Sequence, residues 1–181
     1  MIIAAGDSFI WGSELKDSPH GGPDGYSRST FTALLAKDYE YKCIAYPGIG
    51  NREISRRVME VCRHTPARLV VVCWTWPTRD DTLTGDREIL NLQQYFEYHN
   101  IPYMFTCADN CVFTPGNTKI NWEQWFLFPP AKEEWNTSSP RGFYQWAVEN
   151  NYECGKDRHP LEQAHIDAAK LMQDKFNRLI Q

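Results

Sequence analysis

The chain begins with an apolar run that stops at a small, polar turn. Residues 1–5 read MIIAA and are followed at once by Gly6-Asp7-Ser8. The apolar run predicts a buried strand over residues 2–5, and the turn leaves the hydroxyl of Ser8 at the carboxyl end of that strand. In open α/β sheets, ligands bind just outside the carboxyl ends of the strands. Ser8 is therefore a candidate nucleophile.

Strand-like and helix-like segments alternate along most of the chain. Further strands are predicted at 41–45, 69–73 and 101–106, and helices at 29–37, 51–64, 86–99 and 160–179. The run LVVVC at 69–73 is typical of a central parallel strand that is covered on both faces. This alternation predicts an α/β fold, a three-layer α/β/α sandwich around a mostly parallel, flavodoxin-like sheet. Neither GxGxxG nor a P-loop follows the first strand, which argues against a nucleotide-binding protein of that architecture.

Length and composition narrow the class of protein. A chain of 181 residues is expected to form one domain, and a net charge of −4 gives no reason to expect nucleic acid as a partner. No apolar stretch approaches the roughly 20 residues of a membrane span, so no membrane partner is expected. No basic leader precedes the first strand, so we expect a cytoplasmic protein with six reduced cysteines. No cofactor or metal is expected, and zinc in particular is not, because Cys107 and Cys111 lack a second ligand pair.

An aromatic-rich insertion interrupts the alternation at about 109–151. It contains four of the seven tryptophans, which are Trp122, Trp125, Trp135 and Trp146. A long segment without periodicity inside a compact domain is usually functional or a partner surface. The tryptophans are interpreted either as a satellite core or as a lid or specificity wall beside the site. The insertion is also a candidate oligomer interface.

Acyl transfer through a hydroxyl requires a base, a group that orients the base, and donors for the oxyanion. His159 is the candidate base, because imidazole titrates near neutral pH. Asp157 is the candidate orienting acid, since residues two apart in an extended segment point the same way. The backbone amides of Ser8 and of Gly50 or Asn51 are the candidate donors.

Three short segments occur in a recognisable order: Gly6-Asp7-Ser8-Phe9, Gly48-Ile49-Gly50-Asn51, and Asp157-Arg158-His159-Pro160 with His165 after it. They resemble sequence blocks of the SGNH (GDSL-type) hydrolases, of the small single-domain kind found in bacteria and phages. In that family the first block carries the nucleophile, the second contributes an oxyanion amide, and the last carries the catalytic Asp and His. The resemblance implies the α/β/α fold named above and a serine esterase. His165 is expected to be a packing or hydrogen-bonding histidine.

This chain departs from the family pattern at the third block. That block is normally Gly-x-Asn-Asp, and its Asn side chain donates to the oxyanion, whereas residues 74–79 here read WTWPTR. Thr75 and Arg79 are the candidate substitutes, and Arg79 is also a candidate ligand for an anionic group of a substrate. The last block has one residue between Asp and His, where the family usually has two.

These sequence features are compatible with two functions from different classes. The first is a serine esterase that removes a small acyl group, such as acetyl, from a carbohydrate or another polar ester. The alternative is a catalytically impaired SGNH-fold protein that acts as a glycan-binding or structural interaction module. The missing Asn of the third block motivates the alternative, because loss of one oxyanion donor typically lowers the rate by about 10²–10³.

Overall fold

A computed structural model describes residues 1–18, 25–112, 114, 116–130 and 141–181. The strands are β1 (Ile2–Ala5), β2 (Tyr41–Cys43), β3 (Leu69–Trp74) and β4 (Tyr103–Cys107). The helices are α1 (Ser8–Trp11), α2 (Phe31–Leu35), α3 (Asn51–Cys62), α4 (Asp86–His99), α5 (Phe143–Glu149) and α6 (Glu162–Leu179). The four strands form a parallel sheet in the order β2-β1-β3-β4.

Helices cover both faces of this sheet, which confirms the predicted fold class. Ile2 and Ala4 of β1 face a core shared with α1, α2, α5 and α6. Ile3 and Ala5 face a second core shared with α3 and α4. All six residues of β3 are buried. Because neither face of β3 meets water, its sequence needs no polar residue at alternate positions.

The strand order creates a crevice at the carboxyl ends of β1 and β3. The chain leaves β1 toward β2 on one side and returns to β3 on the other, and Ala5 pairs with Val72 in the shared register. Ligands bind at such a switch point because the flanking loops diverge there. The loop after β1, the turn before α3 and the turn after β3 therefore meet at one edge.

Two short helices were not predicted. The first, α1, is a single turn, and Asp7 caps it by accepting a 3.1 Å hydrogen bond from the Phe9 amide. The second, α5, lies within the aromatic insertion and buries Phe143 and Trp146. Each is too short for helical periodicity to be read from the sequence alone.

The tryptophans described in the insertion pack into the protein. Trp125 and Trp146 are each 4% exposed, and Trp122 is half-buried against the core that contains α3 and α4. These three indoles therefore belong to the two cores that flank the sheet, and they do not form a separate satellite core. Trp135 lies outside the described residues.

Cysteine placement agrees with the prediction of reduced thiols. All six cysteines are unpaired, and burial raises the pKa of the Cys43 thiol to about 11. Burial also raises the pKa values of Cys73 and Cys107. In the parts of the chain that the structure describes, no helix is long and apolar enough to cross a bilayer.

Candidate active site

The two ends of the chain meet at one cleft. Ser8 and His159 both line this cleft, which has a volume of about 1040 Å³. Its walls also include residues from the turn before α3 and from the turn after β3, among them Gly48 and Arg79. The cleft therefore lies at the switch point of the sheet, where the sequence predicted a site.

Ser8 is held at the start of α1 by a tight strand-to-helix turn. A Cβ atom at Gly6 would lie 2.5 Å from Cγ1 of Ile10 and 3.1 Å from the carbonyl oxygen of Cys73. Only glycine fits this close approach, because real Cβ contacts are longer. Ser8 itself is 7% exposed. The turn thus presents the hydroxyl to the cleft while burying most of the residue.

His159 is fixed by two contacts. Its Nδ1 atom lies 2.8 Å from Oε2 of Glu14. Its ring meets the ring of Phe9, the neighbour of Ser8, edge-on at a centroid distance of 5.4 Å. The Nε2 atom has no hydrogen-bond partner among the residues that the structure describes. The imidazole is therefore oriented through Nδ1 and keeps Nε2 available for proton transfer.

Glu14 sits in a cradle of backbone amides. Its carboxylate accepts hydrogen bonds from the amide of Asp157, at 3.1 and 3.2 Å, and from the amide of His159, at 3.4 Å. Burial opposes ionisation of Glu14, but the hydrogen bonds from the His159 ring and from these two amides outweigh it. The pKa of Glu14 is therefore lowered below its ordinary value of 4.5. A charged carboxylate consequently faces the imidazole.

The prediction that Asp157 orients His159 is wrong. The segment is a turn rather than an extended pair: the Arg158 amide donates to the Gly155 carbonyl at 3.0 Å, and Arg158 has a φ of 65°. In this left-handed conformation residues 157 and 159 do not point the same way. Asp157 contributes its amide to Glu14, while its exposed side chain lines the cleft.

The sequence carries little signal for Glu14. It lies in an aperiodic loop after α1, and its φ of 67° is uncommon for a residue other than glycine. The one available clue is an acidic residue six positions after the candidate nucleophile. Proximity in the sequence points instead to Asp157, which is two residues from His159.

Asn51 and Thr75 are hydrogen-bonded to each other, and Thr75 is also hydrogen-bonded to Asp7. Asn51 Nδ2 donates to the Thr75 carbonyl at 2.8 Å, and the Thr75 amide donates to Asn51 Oδ1 at 2.8 Å. The Thr75 hydroxyl donates to Asp7 Oδ2 at 2.6 Å. All three residues are buried, so the prediction that Thr75 replaces the missing oxyanion donor is wrong.

Arg79 bridges three loops. Its Nη1 atom donates to Asp7 Oδ2 at 2.9 Å and to the Ile49 carbonyl at 3.2 Å. Its guanidinium lies over the Trp76 ring, 5.4 Å from the centroid. Asp7 is completely buried, whereas the Arg79 side chain is 28% exposed and lines the cleft. Arg79 is thus anchored on its protein side and open on the other.

The amino end of α3 supplies the remaining candidate donors. Gly50 precedes the helix and packs against the carboxylate of Asp80, which accepts the Arg52 amide at 3.0 Å. The amides of Gly50 and Asn51 donate no hydrogen bond to any residue that the structure describes. Both stay candidates for an oxyanion pocket, although they are buried and it is Gly48 of the same turn that lines the cleft.

His165 has the packing role that was predicted for it. Its Nδ1 atom accepts a 3.1 Å hydrogen bond from the Phe31 amide, and its ring stacks on Phe31 at 5.7 Å. Burial lowers the pKa of His165 to about 3, so the ring is neutral. His64 and His99 are exposed, and His20 lies outside the described residues.

Comparisons with known proteins agree on the architecture. No protein-family model and no curated protein matches the sequence. Among solved structures, the psychrotrophic esterase EstA from Pseudoalteromonas sp., inhibited by monoethylphosphonate, superposes with a TM-score of 0.64 at 14% identity. The match covers 98% of this chain and 96% of that one.

Two further structures extend the comparison. A member of the lipolytic protein G-D-S-L family from Veillonella parvula gives a TM-score of 0.51 at 14% identity, with 98% of each chain covered. A carbohydrate esterase family 2 enzyme with a carbohydrate-binding domain, from Corynascus thermopiles (Myceliophthora fergusii), gives 0.61 at 12% identity. That match covers 99% of this chain and 66% of the enzyme. This chain therefore has the fold of the SGNH (GDSL-type) hydrolases.

Proposed function

We propose that this protein is a serine ester hydrolase in which Ser8 is the nucleophile, His159 the general base and Glu14 the acid that orients the base. The observation that carries the proposal is the shared cleft of Ser8 and His159, with Nδ1 of the histidine held by Glu14. Nucleophilic acyl transfer requires a hydroxyl and an oriented imidazole, and here both groups line one cleft.

The proposed reaction has two halves. Ser8 Oγ attacks the ester carbonyl and its proton passes to Nε2 of His159, while Glu14 stabilises the resulting imidazolium through Nδ1. The amides of Ser8 and of Gly50 or Asn51 donate to the tetrahedral oxyanion. Collapse of this intermediate breaks the ester bond, and the alcohol leaves with the proton from His159. Water, activated by the same imidazole, then hydrolyses the acyl-enzyme.

The proposed substrate is a carbohydrate or other polar compound that carries a small acyl group such as acetyl. Support comes from the aromatic side of the cleft, where Trp11 and Tyr46 meet edge to face at 5.6 Å and Tyr46 is 50% exposed. Aromatic rings of this kind offer an apolar face to a sugar while their polar atoms stay hydrated. The likeness to a carbohydrate esterase supports the same substrate class.

Hydrolysis of p-nitrophenyl acetate tests the reaction, and labelling by a fluorophosphonate, located by mass spectrometry, tests the nucleophile. We expect turnover and labelling at Ser8, both abolished in Ser8→Ala. Ser13→Ala is the matched control, because Ser13 lines the same cleft. Equal activity in Ser8→Ala would refute the proposed nucleophile. Glycan binding by a protein that neither turns over esters nor reacts with the probe would favour the alternative, a non-catalytic glycan-binding module.

A further inference from the structure

We propose that Arg79 is a catalytic residue of this reaction and that its guanidinium donates a hydrogen bond to the oxyanion of the tetrahedral intermediate. This inference rests on the proposed function and deepens it. It assigns a charged side-chain donor to a pocket that would otherwise contain backbone amides only.

The anchors of Arg79 place its guanidinium between the two loops that carry the proposed amide donors. Nη1 bonds to the side chain of Asp7, the residue before Ser8, and to the carbonyl of Ile49, the residue before Gly50. Arg79 is therefore held between the loop that carries Ser8 and the turn that carries Gly50, whose amides are the proposed oxyanion donors. Arg79 and Ser8 also line the same cleft.

Arg79 retains donors for a ligand. A guanidinium has five N–H groups, and the hydrogen bonds within the described residues use Nη1 only. Nε and Nη2 have no hydrogen-bond acceptor among those residues. Thr75, the other candidate for this role, has its hydroxyl buried on Asp7. Arg79 is therefore the side chain of the turn after β3 that combines exposure to the cleft with unused donors.

The position of Arg79 is also pre-organised. The ion pair with the buried Asp7 and the stacking on Trp76 hold the guanidinium in place before substrate binds. A donor that is already oriented stabilises the developing charge without reorganising during the reaction. Hydrogen bonds from a charged donor are roughly twice as strong as neutral ones. Arg79 is thus well suited to an oxygen that becomes negative only in the transition state.

The decisive measurement uses a neutral ester, because a neutral substrate has no anionic substituent for Arg79 to bind. With p-nitrophenyl acetate, we expect Arg79→Ala to lower kcat by about 10²–10³ while KM changes less than about threefold. Added guanidinium ion should restore part of the lost kcat. Arg79→Lys, which keeps the charge beside Asp7, should retain the thermal stability of the wild type and still lose most of kcat.

Thr75→Val separates catalysis from support of Asp7. It removes the other side-chain hydrogen bond to Asp7 Oδ2 without removing a group from the cleft. We expect its loss of kcat to be at least tenfold smaller than that of Arg79→Ala. Equal losses in the two variants, with no rescue by guanidinium, would show that Arg79 only supports Asp7, and would overturn the inference.

Two further outcomes would also overturn it. Arg79→Ala with wild-type kcat on the neutral ester, but a raised KM for a nitrophenyl ester that carries a carboxylate, would make Arg79 a binding group for anionic substrates. That result would leave the proposed esterase function intact, since the variant would still hydrolyse the neutral ester. A wild-type protein that shows neither turnover nor fluorophosphonate labelling would instead overturn the proposed function and this inference together.

Discussion

Glu14 forms a 2.8 Å hydrogen bond with Nδ1 of His159, although the two residues are 145 positions apart in the chain. The contact joins the loop after α1 to the turn before α6, and both residues line the cleft. The proposed nucleophile, Ser8, and the proposed acid, Glu14, are six residues apart on one continuous segment of the chain. Such constellations are recognised by geometry rather than by sequence order.

Glu14→Gln should lower kcat by about 10²–10⁴, because an amide cannot stabilise the imidazolium and can select the wrong tautomer of His159. Glu14→Asp should recover part of the loss by restoring the charge. The kinetics of p-nitrophenyl acetate hydrolysis measure both effects. The His159 ring proton on Nδ1, observed by NMR, reports the hydrogen bond directly.

Asp157→Asn is the matched control for Glu14. The Asn variant keeps the backbone amide that donates to Glu14 and removes only an exposed charge. We expect less than a threefold change in kcat. A larger loss in Asp157→Asn than in Glu14→Gln would return the orienting role to Asp157.

The substitution Gly155→Ala should reduce activity only by displacing the carboxylate of Glu14. A Cβ atom at Gly155 would lie 2.5 Å from the Glu14 carboxylate, so the carboxylate must move away from its amide donors. Aspartate at position 14 is one methylene shorter and leaves room for that atom. The double variant Gly155→Ala, Glu14→Asp should therefore lose less kcat than the product of the two single losses. Strictly multiplicative losses would contradict this steric explanation.

The sequence predicted those features that depend on local pattern. β1 and α4 have the predicted ends, because an apolar run and an amphipathic period encode them directly. The place of Ser8 follows from its position directly after β1, at the carboxyl edge of the sheet, and His159, in the turn before α6, lines the same cleft. The proposed roles of Glu14 and Arg79 could not be predicted in this way, because each side chain lies in a turn and contacts a residue that is distant in the sequence. The Glu14–His159 and Arg79–Asp7 contacts are tertiary, and no local period signals them.

Asn51→Ala should destabilise the edge of the sheet at the cleft. The substitution leaves the buried amide and carbonyl of Thr75 without their partner, at a cost of about 1–3 kcal/mol for each unsatisfied group. Urea unfolding at neutral pH should show the lower stability. Arg52→Ala, at the next and exposed position of α3, should change the free energy of unfolding by less than about 0.5 kcal/mol. Similar values for the two variants would mean that the Asn51–Thr75 pair contributes no net stability.

His165 should make the folded protein sensitive to mild acid. Its pKa is about 3 in the folded state against an ordinary value of 6.5, so below pH 6.5 the unfolded chain binds a proton that the folded chain does not. Stability should therefore fall as pH decreases from 6.5 toward 3, by up to about 1.4 kcal/mol per pH unit. Urea unfolding at pH 7 and pH 5 should show a loss about 2 kcal/mol larger in the wild type than in His165→Gln, which lacks the titrating ring. His99→Gln, at an exposed position, should keep the wild-type pH dependence, and an equal loss in all three proteins would exclude His165 as its source.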